Sequence, residues 1–465
     1  MFLCKAPPPA PVFAPDLEKL GFELRDGAFV KKGSSPPEYF DFFHTDDDQT
    51  NERRKEAIHE AARAAVASEL EKKYDIKQVY IASDGEVATT KPSEAHITLL
   101  ATEVSKLRTK RDVIIVVGEE AAGKQDAGIW AYRALMNEGG MEKGSAVGLA
   151  KMLVEQAKGA AAREDDSKGG SEEDLVTSTA KLSTTDNDDD TMGVVIFNPG
   201  QLLYSYSENK SMSQVTWVGR QRDSALDLQY EISEKYNKVP GHRTPHRHLE
   251  QAFHNTILDL VNDEAHLYII AIGDSVEHTI EILDNIWMEK YDFSIAKQIE
   301  AIAFIEPQGI DVNKIASASF QSFLRCSAQS WIRATEVPLG QAIEMPNNGH
   351  SRITLNSKVS NLEEELERAE RADSAKAIED AGDDEVNSQV SSTAADWGEE
   401  QEDEEQANED NDEIVCPTYS AGDCDGIAEL VLPQVMGHVV HYFLQKKKTA
   451  EHYEAMNGGD DLDFY

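Results

Sequence analysis

The chain has 465 residues, enough for about three average domains or for one large α/β domain with insertions. Hydrophobic residues make up 40% and charged residues 28%, and 86 acids against 45 bases give a net charge of −41. That balance excludes a dedicated non-specific nucleic-acid binder, whose phosphate contacts need a basic stripe, and no stretch approaches the ~18 uninterrupted apolar residues of a membrane span.

The acidity is uneven. Residues 163–190 carry ten acids and three bases, and residues 363–413 carry 22 acids and three bases. Both stretches are poor in apolar residues, so inserts at 160–190 and 360–412 are expected to be disordered. Cys4, Cys326, Cys416 and Cys424 are too few and too scattered for a disulfide framework. The opening MFLCKAPPPAPVFAP has no charged-then-apolar leader pattern. The expectation is an intracellular protein with reduced thiols.

In chain order, residues 1–15 are proline-rich and expected to fray. Asp16 is placed to cap a short helix over DLEKLGF. Glu38 to Phe43 alternates loosely with aromatics and reads as a strand. Glu52 to Lys73 reads as a long helix with Ile58, Ala62, Ala65, Val66 and Leu70 on one side. DVIIVV, Asp112 to Val117, is a continuous β-branched run, as in a strand buried on both faces. A helix around AGIWAYRALMN and another over Ser145 to Ala157 follow. MGVVIFNPG is the next buried strand. Leu249 to Val261 reads as a helix, HLYIIAIGD as a strand, and Val276 to Met288 as a helix. IEAIAFIEP is a further buried strand. Glu363 to Ala377 has helical charge spacing. EIVCPTYSAG is a last strand and turn, and Leu432 to Leu444 a closing helix. This alternation predicts an α/β fold, a mostly parallel sheet with helices on both faces. A site is then expected in the loops at the carboxyl ends of the strands.

Four motifs bear on chemistry. GEEAAGKQ, Gly118 to Gln125, has the Gly-x4-Gly-Lys spacing of a phosphate-cradling loop between a strand and a helix. Gln125 stands where a magnesium-binding Ser or Thr belongs, and Glu119 and Glu120 put negative charge in a loop that should attract phosphate. A polar turn is the plainer reading. GDSVE, Gly273 to Glu277, half-matches the Gly-x-Ser-x-Gly nucleophile elbow. Glu277 replaces the second Gly, and a helix N-cap by Asp274 or Ser275 is the plainer reading. GHRTPHRH, Gly241 to His248, has three histidines, but no Cys or carboxylate spacing supports a zinc site. No metal or other cofactor is expected. The loop CPTYSAGDCDGIAEL after the last strand contains no His, so a Ser nucleophile would lack its base there. Two alternatives to a non-catalytic reading stay open: a serine esterase using Ser275, and a nucleotide-binding protein using the Gly118–Gln125 loop.

Taken in order, DLEKLGFELRDGAFV, VIIVVGEEAAGKQDAGIWAYRAL, GVVIFNPG, YIIAIGDSVEHTIEIL, IEAIAFIEP, CSAQSWIRATEVPLGQAI and CPTYSAGD resemble the Arb-two domain family. Those are argonaute-binding protein two-like, α/β-hydrolase-like proteins of fungi. The domain also occurs in fungal class II histone deacetylases and in cotranscriptional regulators. The resemblance implies one α/β-hydrolase-like domain over 16–445, interrupted by the two inserts, with a polar tail at 446–465. It also implies a degenerate triad. Gly273 takes the nucleophile place, Glu306 keeps the acid, and the His place falls near Ala428. The implied role is that of a pseudo-hydrolase, an interaction subunit in small-RNA-directed silencing and heterochromatin assembly. Its partners would be an argonaute or a histone-modifying complex, in nucleus and cytoplasm, with no membrane. Tyr204, Tyr206 and Trp217, with Arg243 and Arg247, are the candidate partner-binding residues, because aromatics and Arg dominate binding hot spots.

Overall fold

The computed structural model describes residues 11–39, 45–83, 85–120, 126–168, 191–220, 222, 228, 230–288, 294–307, 314–343, 416–424 and 430–457. Strands β1 (Phe22–Arg25) and β2 (Ala28–Lys31) form a hairpin. The main sheet takes β3 (Ile76–Ala82), β4 (Val87–Ala88), β5 (His96–Thr102), β6 (Asp112–Val117) and β7 (Gly193–Phe197). Beyond them come β10 (His266–Ile272), β11 (Ile299–Ile305), β12 (Ala328–Ile332) and β13 (Thr418–Ser420). A second hairpin, β8 (Leu203–Ser205) with β9 (Lys210–Met212), lies outside the sheet.

The sheet order is β13-β12-β11-β10-β6-β7-β5-β3-β4. The six strands from β13 to β7 run parallel. β5 is antiparallel to β7 and β3, and β4 is antiparallel to β3. The expected α/β architecture is therefore present, with a mixed edge. β6, β7 and β10 are central, and their continuous Val/Ile character follows from burial on both faces. Alternate residues go to opposite sides. Ile114, Val116, Tyr268 and Ile270 join one core, and Val113, Ile115, Leu267 and Ile269 join the other. Each buried Val or Ile contributes about 1.5–3 kcal/mol.

Helices α1 (Asp48–Tyr74), α2 (Ala146–Lys168) and α6 (Val431–Asn457) cover the first face. α3 (Pro245–Gln251), α4 (Ser275–Met288) and α5 (Ala318–Ser327) cover the second. α1 starts where the Asp47 side chain accepts from the Thr50 N–H. It stops at Asp75, left-handed at φ 54°, whose N–H returns to the Leu70 carbonyl.

Several expectations need correction. The helix over DLEKLGF is a single turn, with Asp16 Oδ1 accepting from Lys19 N, before the hairpin takes over. Glu38 and Tyr39 are not in a strand; the rest of that predicted strand lies outside the described residues. Residues 160–168 of the expected insert continue helix α2. The 249–261 helix begins at Pro245 and passes through a π-helical turn at Ala252–Thr256. β3, β5 and β12 were not foreseen as strands. The remainder of insert 160–190, all of insert 360–412, and Ala428 lie outside the described residues.

Candidate functional site

The chain runs from β6 to β7 on one side and then returns to β10 on the other side of β6. The strand order thus reverses between β6 and β10. In open α/β sheets the crevice at such a point, outside the carboxyl ends, is the natural ligand site. Gly118 and Glu119 leave β6 there, and Gly273 leaves β10.

The turn from β10 into α4 has the form of a nucleophile elbow. Gly273 adopts φ 57°, and its N–H donates to the Ile305 carbonyl at 2.8 Å. A side chain there has no room. A Cβ on Gly273 would lie 2.6 Å from Glu119 Oε1 and 2.8 Å from its Cγ and Cδ. Glu119 is itself buried. A carboxylate thus occupies the space that a nucleophile and a reacting carbonyl would share. In α/β-hydrolases the loop after the neighbouring strand supplies an N–H for the oxyanion; here that loop presents an acceptor.

Ser275 is fully buried, and its Oγ donates to the Gly118 carbonyl at 2.6 Å. The hydroxyl ties the start of α4 to the end of β6. The half-matched elbow serine therefore acts as a clasp between two turns. In the Gly118–Gln125 loop, Gly118 takes this bond, Glu119 fills the elbow, and Glu120 Oε2 meets His278 Nε2 at 3.0 Å. Lys124 and Gln125 lie outside the described residues.

Glu306 sits one strand further on, with φ 47°. Its carboxylate accepts from Arg333 Nε at Oε1 and from Arg333 N at Oε2, each at 2.8 Å. Its charge is met by an arginine that directly follows β12. Among the described residues, no hydrogen bond joins Ser275 or Glu306 to a histidine. His438 packs on the Trp331 ring, centroids 5.3 Å apart, and against Gly340.

The histidines of GHRTPHRH do not converge outward. His242 and His248 are buried, with Nδ1 atoms 3.0 Å apart. Burial pushes His242 down to about 4 and holds His248 well below the usual histidine range, where His242 adds to the effect. The pair is a core contact, and His248 also meets Phe197 edge-on. His246 instead lies against His278 and within 3.5 Å of Glu281. Among the described residues no cluster of His, Cys, Asp or Glu could hold a metal ion, and no helix is long and apolar enough to cross a membrane.

The candidate partner residues separate. Tyr204 and Trp217 are buried and cannot meet a partner in this fold. The Tyr204 hydroxyl donates to Asn209 Oδ1 and lies 3.2 Å from the Glu94 carbonyl, and Trp217 Nε1 donates to the Tyr230 carbonyl. Tyr206 is 62% exposed. Arg243 and Arg247 are exposed, and Arg247 pairs with Glu250. A polar Ser/Tyr-rich stretch reads as surface, whereas Tyr204 on β8 faces inward and Trp217 is buried in the short helix Gln214–Gly219.

Sequence reasoning also missed a buried polar cluster. Arg63, on α1, donates from Nη1 to Asp126 Oδ2 and Tyr132 OH, and from Nη2 to Glu56. The Tyr132 hydroxyl also donates to Asp126 Oδ2 at 2.7 Å. The His59 ring stacks on Tyr132 at 3.7 Å. The one available signal was a charged residue seven positions after another, Glu56 then Arg63, on the inward side of a helix.

The family model described as the Arb2 domain matches residues 13–337 of this chain. That span holds the elbow, Glu306, Arg333 and the Arg63 cluster. No curated protein and no solved structure matches the chain.

Proposed function

The chain belongs to the Arb2 domain family, and from that premise we propose that it is a non-catalytic interaction protein built on a hydrolase-like sheet. One observation carries this reading: the Glu119 carboxyl group stands over Gly273. Acyl transfer needs a nucleophile at the elbow, a base beside it and hydrogen-bond donors where negative charge develops. Here the elbow has no side chain, and the space above it holds a carboxylate. Ser275, two residues on, spends its hydroxyl on a backbone carbonyl. The partners proposed are an argonaute or a histone-modifying complex, and the setting is small-RNA-directed silencing and heterochromatin assembly in nucleus and cytoplasm. The Arb-two resemblance supports that assignment. Tyr206, Arg243 and Arg247 are the surface residues offered as its contact points.

A tagged full-length chain should recover an argonaute or a histone-modifying subunit in a pull-down read by mass spectrometry. Tyr206→Ala with Arg247→Ala should weaken recovery and leave the melting temperature unchanged. The same protein should resist labelling by a fluorophosphonate probe and should not cleave short-chain aryl esters. Labelling that disappears in Ser275→Ala would overturn the non-catalytic reading. Recovery of neither class of partner would overturn the assignment of partners.

A further inference from the structure

Helix α4 and residues 314–316, which lead into α5, flank an open groove of about 390 Å³. Its lining on α4 repeats at helical spacing and so lies along one side of the helix. Glu277, Glu281 and Met288 form an exposed outer row, and Ile280 and Asp284 a buried inner one. Ile280 and Ile315 make the floor apolar, and Met288, 47% exposed, stands at one end. An exposed Met is a deformable apolar contact of the kind that binding surfaces use.

The charge of the lining is one-sided. It carries three carboxylates, Glu277, Glu281 and Asp284, and one cation, Lys314, a net of −2. Lys314 stands 3.8 Å from Glu277. Asp284 accepts from the backbone N–H groups of Ala316 and Ser317, at 2.8 Å each, which fixes the opposite wall against α4 but brings no positive charge. Glu281 has His246 at 3.5 Å, a ring that is charged only when protonated. The Glu277 and Glu281 side chains are 68% and 60% exposed, so both are open to a ligand. A cleft lined mainly by one sign of charge concentrates the opposite sign within it.

We propose that this groove docks a short extended segment of a partner protein carrying Arg or Lys beside an aliphatic side chain. The cations meet Glu277 and Glu281, the segment lies over Ile280 and Ile315, and the aliphatic group rests on Met288. The helix sets the spacing. Glu277 and Glu281 are one turn apart, about 6 Å, which matches alternate residues of an extended chain at about 3.3 Å each. Met288 lies seven residues beyond Glu281, about 10 Å along the axis, or about three extended residues. The expected pattern is basic-x-basic-x-x-aliphatic. None of Tyr206, Arg243 and Arg247 lines the groove, and the proposal depends neither on them nor on the elbow.

The test is fluorescence anisotropy of the full-length chain with a fluorescein-labelled Arg-Ser-Arg-Ser-Ser-Leu peptide. The buffer holds about 150 mM salt, where a Debye length of about 8 Å screens remoter acids. Saturable binding is expected, weakened about tenfold when both Arg are replaced by Gln or the Leu by Ser. Glu277→Gln with Glu281→Gln should weaken it about as much. Glu71→Gln with Glu155→Gln, at exposed positions of α1 and α2 on the other face of the sheet, removes the same charge and should leave binding unchanged. Ala316→Trp fills the groove from an exposed position without altering a charge and should abolish binding. Thermal melts show that each variant is folded. No saturable binding, as when a second copy or another part of the chain fills the groove, would overturn the proposal. So would equal losses in the two Glu pairs, which would mean attraction to the overall charge only, or binding that survives Ala316→Trp.

Discussion

Glu119 Oε1 lies 2.6 Å from the point where a Cβ of residue 273 would stand. The two positions follow adjacent strands, β6 and β10, and each constrains the other. A glycine at 273 leaves room for the Glu119 side chain, and that side chain forbids anything larger at 273. The turn after β10 keeps a left-handed glycine, and the Glu119 carboxyl group packs where a side chain of residue 273 would stand.

This relationship makes Gly273→Ala costly on two counts. Alanine is strained at φ 57°, and its methyl group collides with Glu119. The expected loss is about 1–3 kcal/mol, read as the shift of a urea unfolding midpoint. Glu119→Ala should recover the collision and not the backbone strain, so the double variant should be more stable than the sum of the singles. Strict additivity would show that the two residues do not touch.

Ser275→Ala should cost stability. The hydroxyl is buried and bonded to the Gly118 carbonyl, and losing such a bond costs about 1–2 kcal/mol. Differential scanning calorimetry reads the change. An unchanged melting temperature would mean that the clasp between β6 and α4 contributes nothing.

Arg333→Ala leaves the buried Glu306 carboxylate with only the backbone N–H of residue 333. Arg333 is about one-third exposed, so water takes over part of its role. The expected destabilisation is about 1–3 kcal/mol. Arg333→Ala combined with Glu306→Gln should recover part of it, since no uncompensated charge remains. If the double variant is worse than Arg333→Ala alone, the pair is not the main interaction of Glu306.

Stability should fall in mild acid. His59 is held at about 3, His242 at about 4, and His248 well below the usual histidine range, burial being the first cause in each. An unfolded chain binds protons on these rings near pH 6.5, and the folded chain does not. The contribution is therefore complete above about 6.5 and is lost as the pH drops from there toward about 4, at up to about 1.4 kcal/mol per pH unit for each histidine. Urea midpoints measured from pH 7.5 to 4.5 should decline, less steeply in His242→Gln. A flat profile, or one unaffected by that substitution, would place the acid sensitivity elsewhere.

The central strands were legible in the amino-acid order because β6, β7, β10 and β11 are buried on both faces and so are almost continuously apolar, Glu300 near the start of β11 apart. β3 and β5 escaped notice because Lys77, Gln78 and Thr98 break the apolar run at a partly covered edge of the sheet. β12 was hidden in AQSWI, whose Gln329 and Ser330 read as polar, although Ser330 is buried in the pairing with β11. The missing base in the last loop and the misplaced elbow serine were visible in the chain by itself, since they concern which residue types are present at which spacing. The fates of Glu119, Ser275, Tyr204 and Asp126 were decided only by the tertiary structure. Each depends on a partner from another element, 154 and 157 positions away for the contacts of Glu119 and Ser275 with Gly273 and Gly118. Sequence patterning reports how a segment divides between water and core; which side chain meets which across the sheet is fixed by strand order and register, and no local pattern carries those.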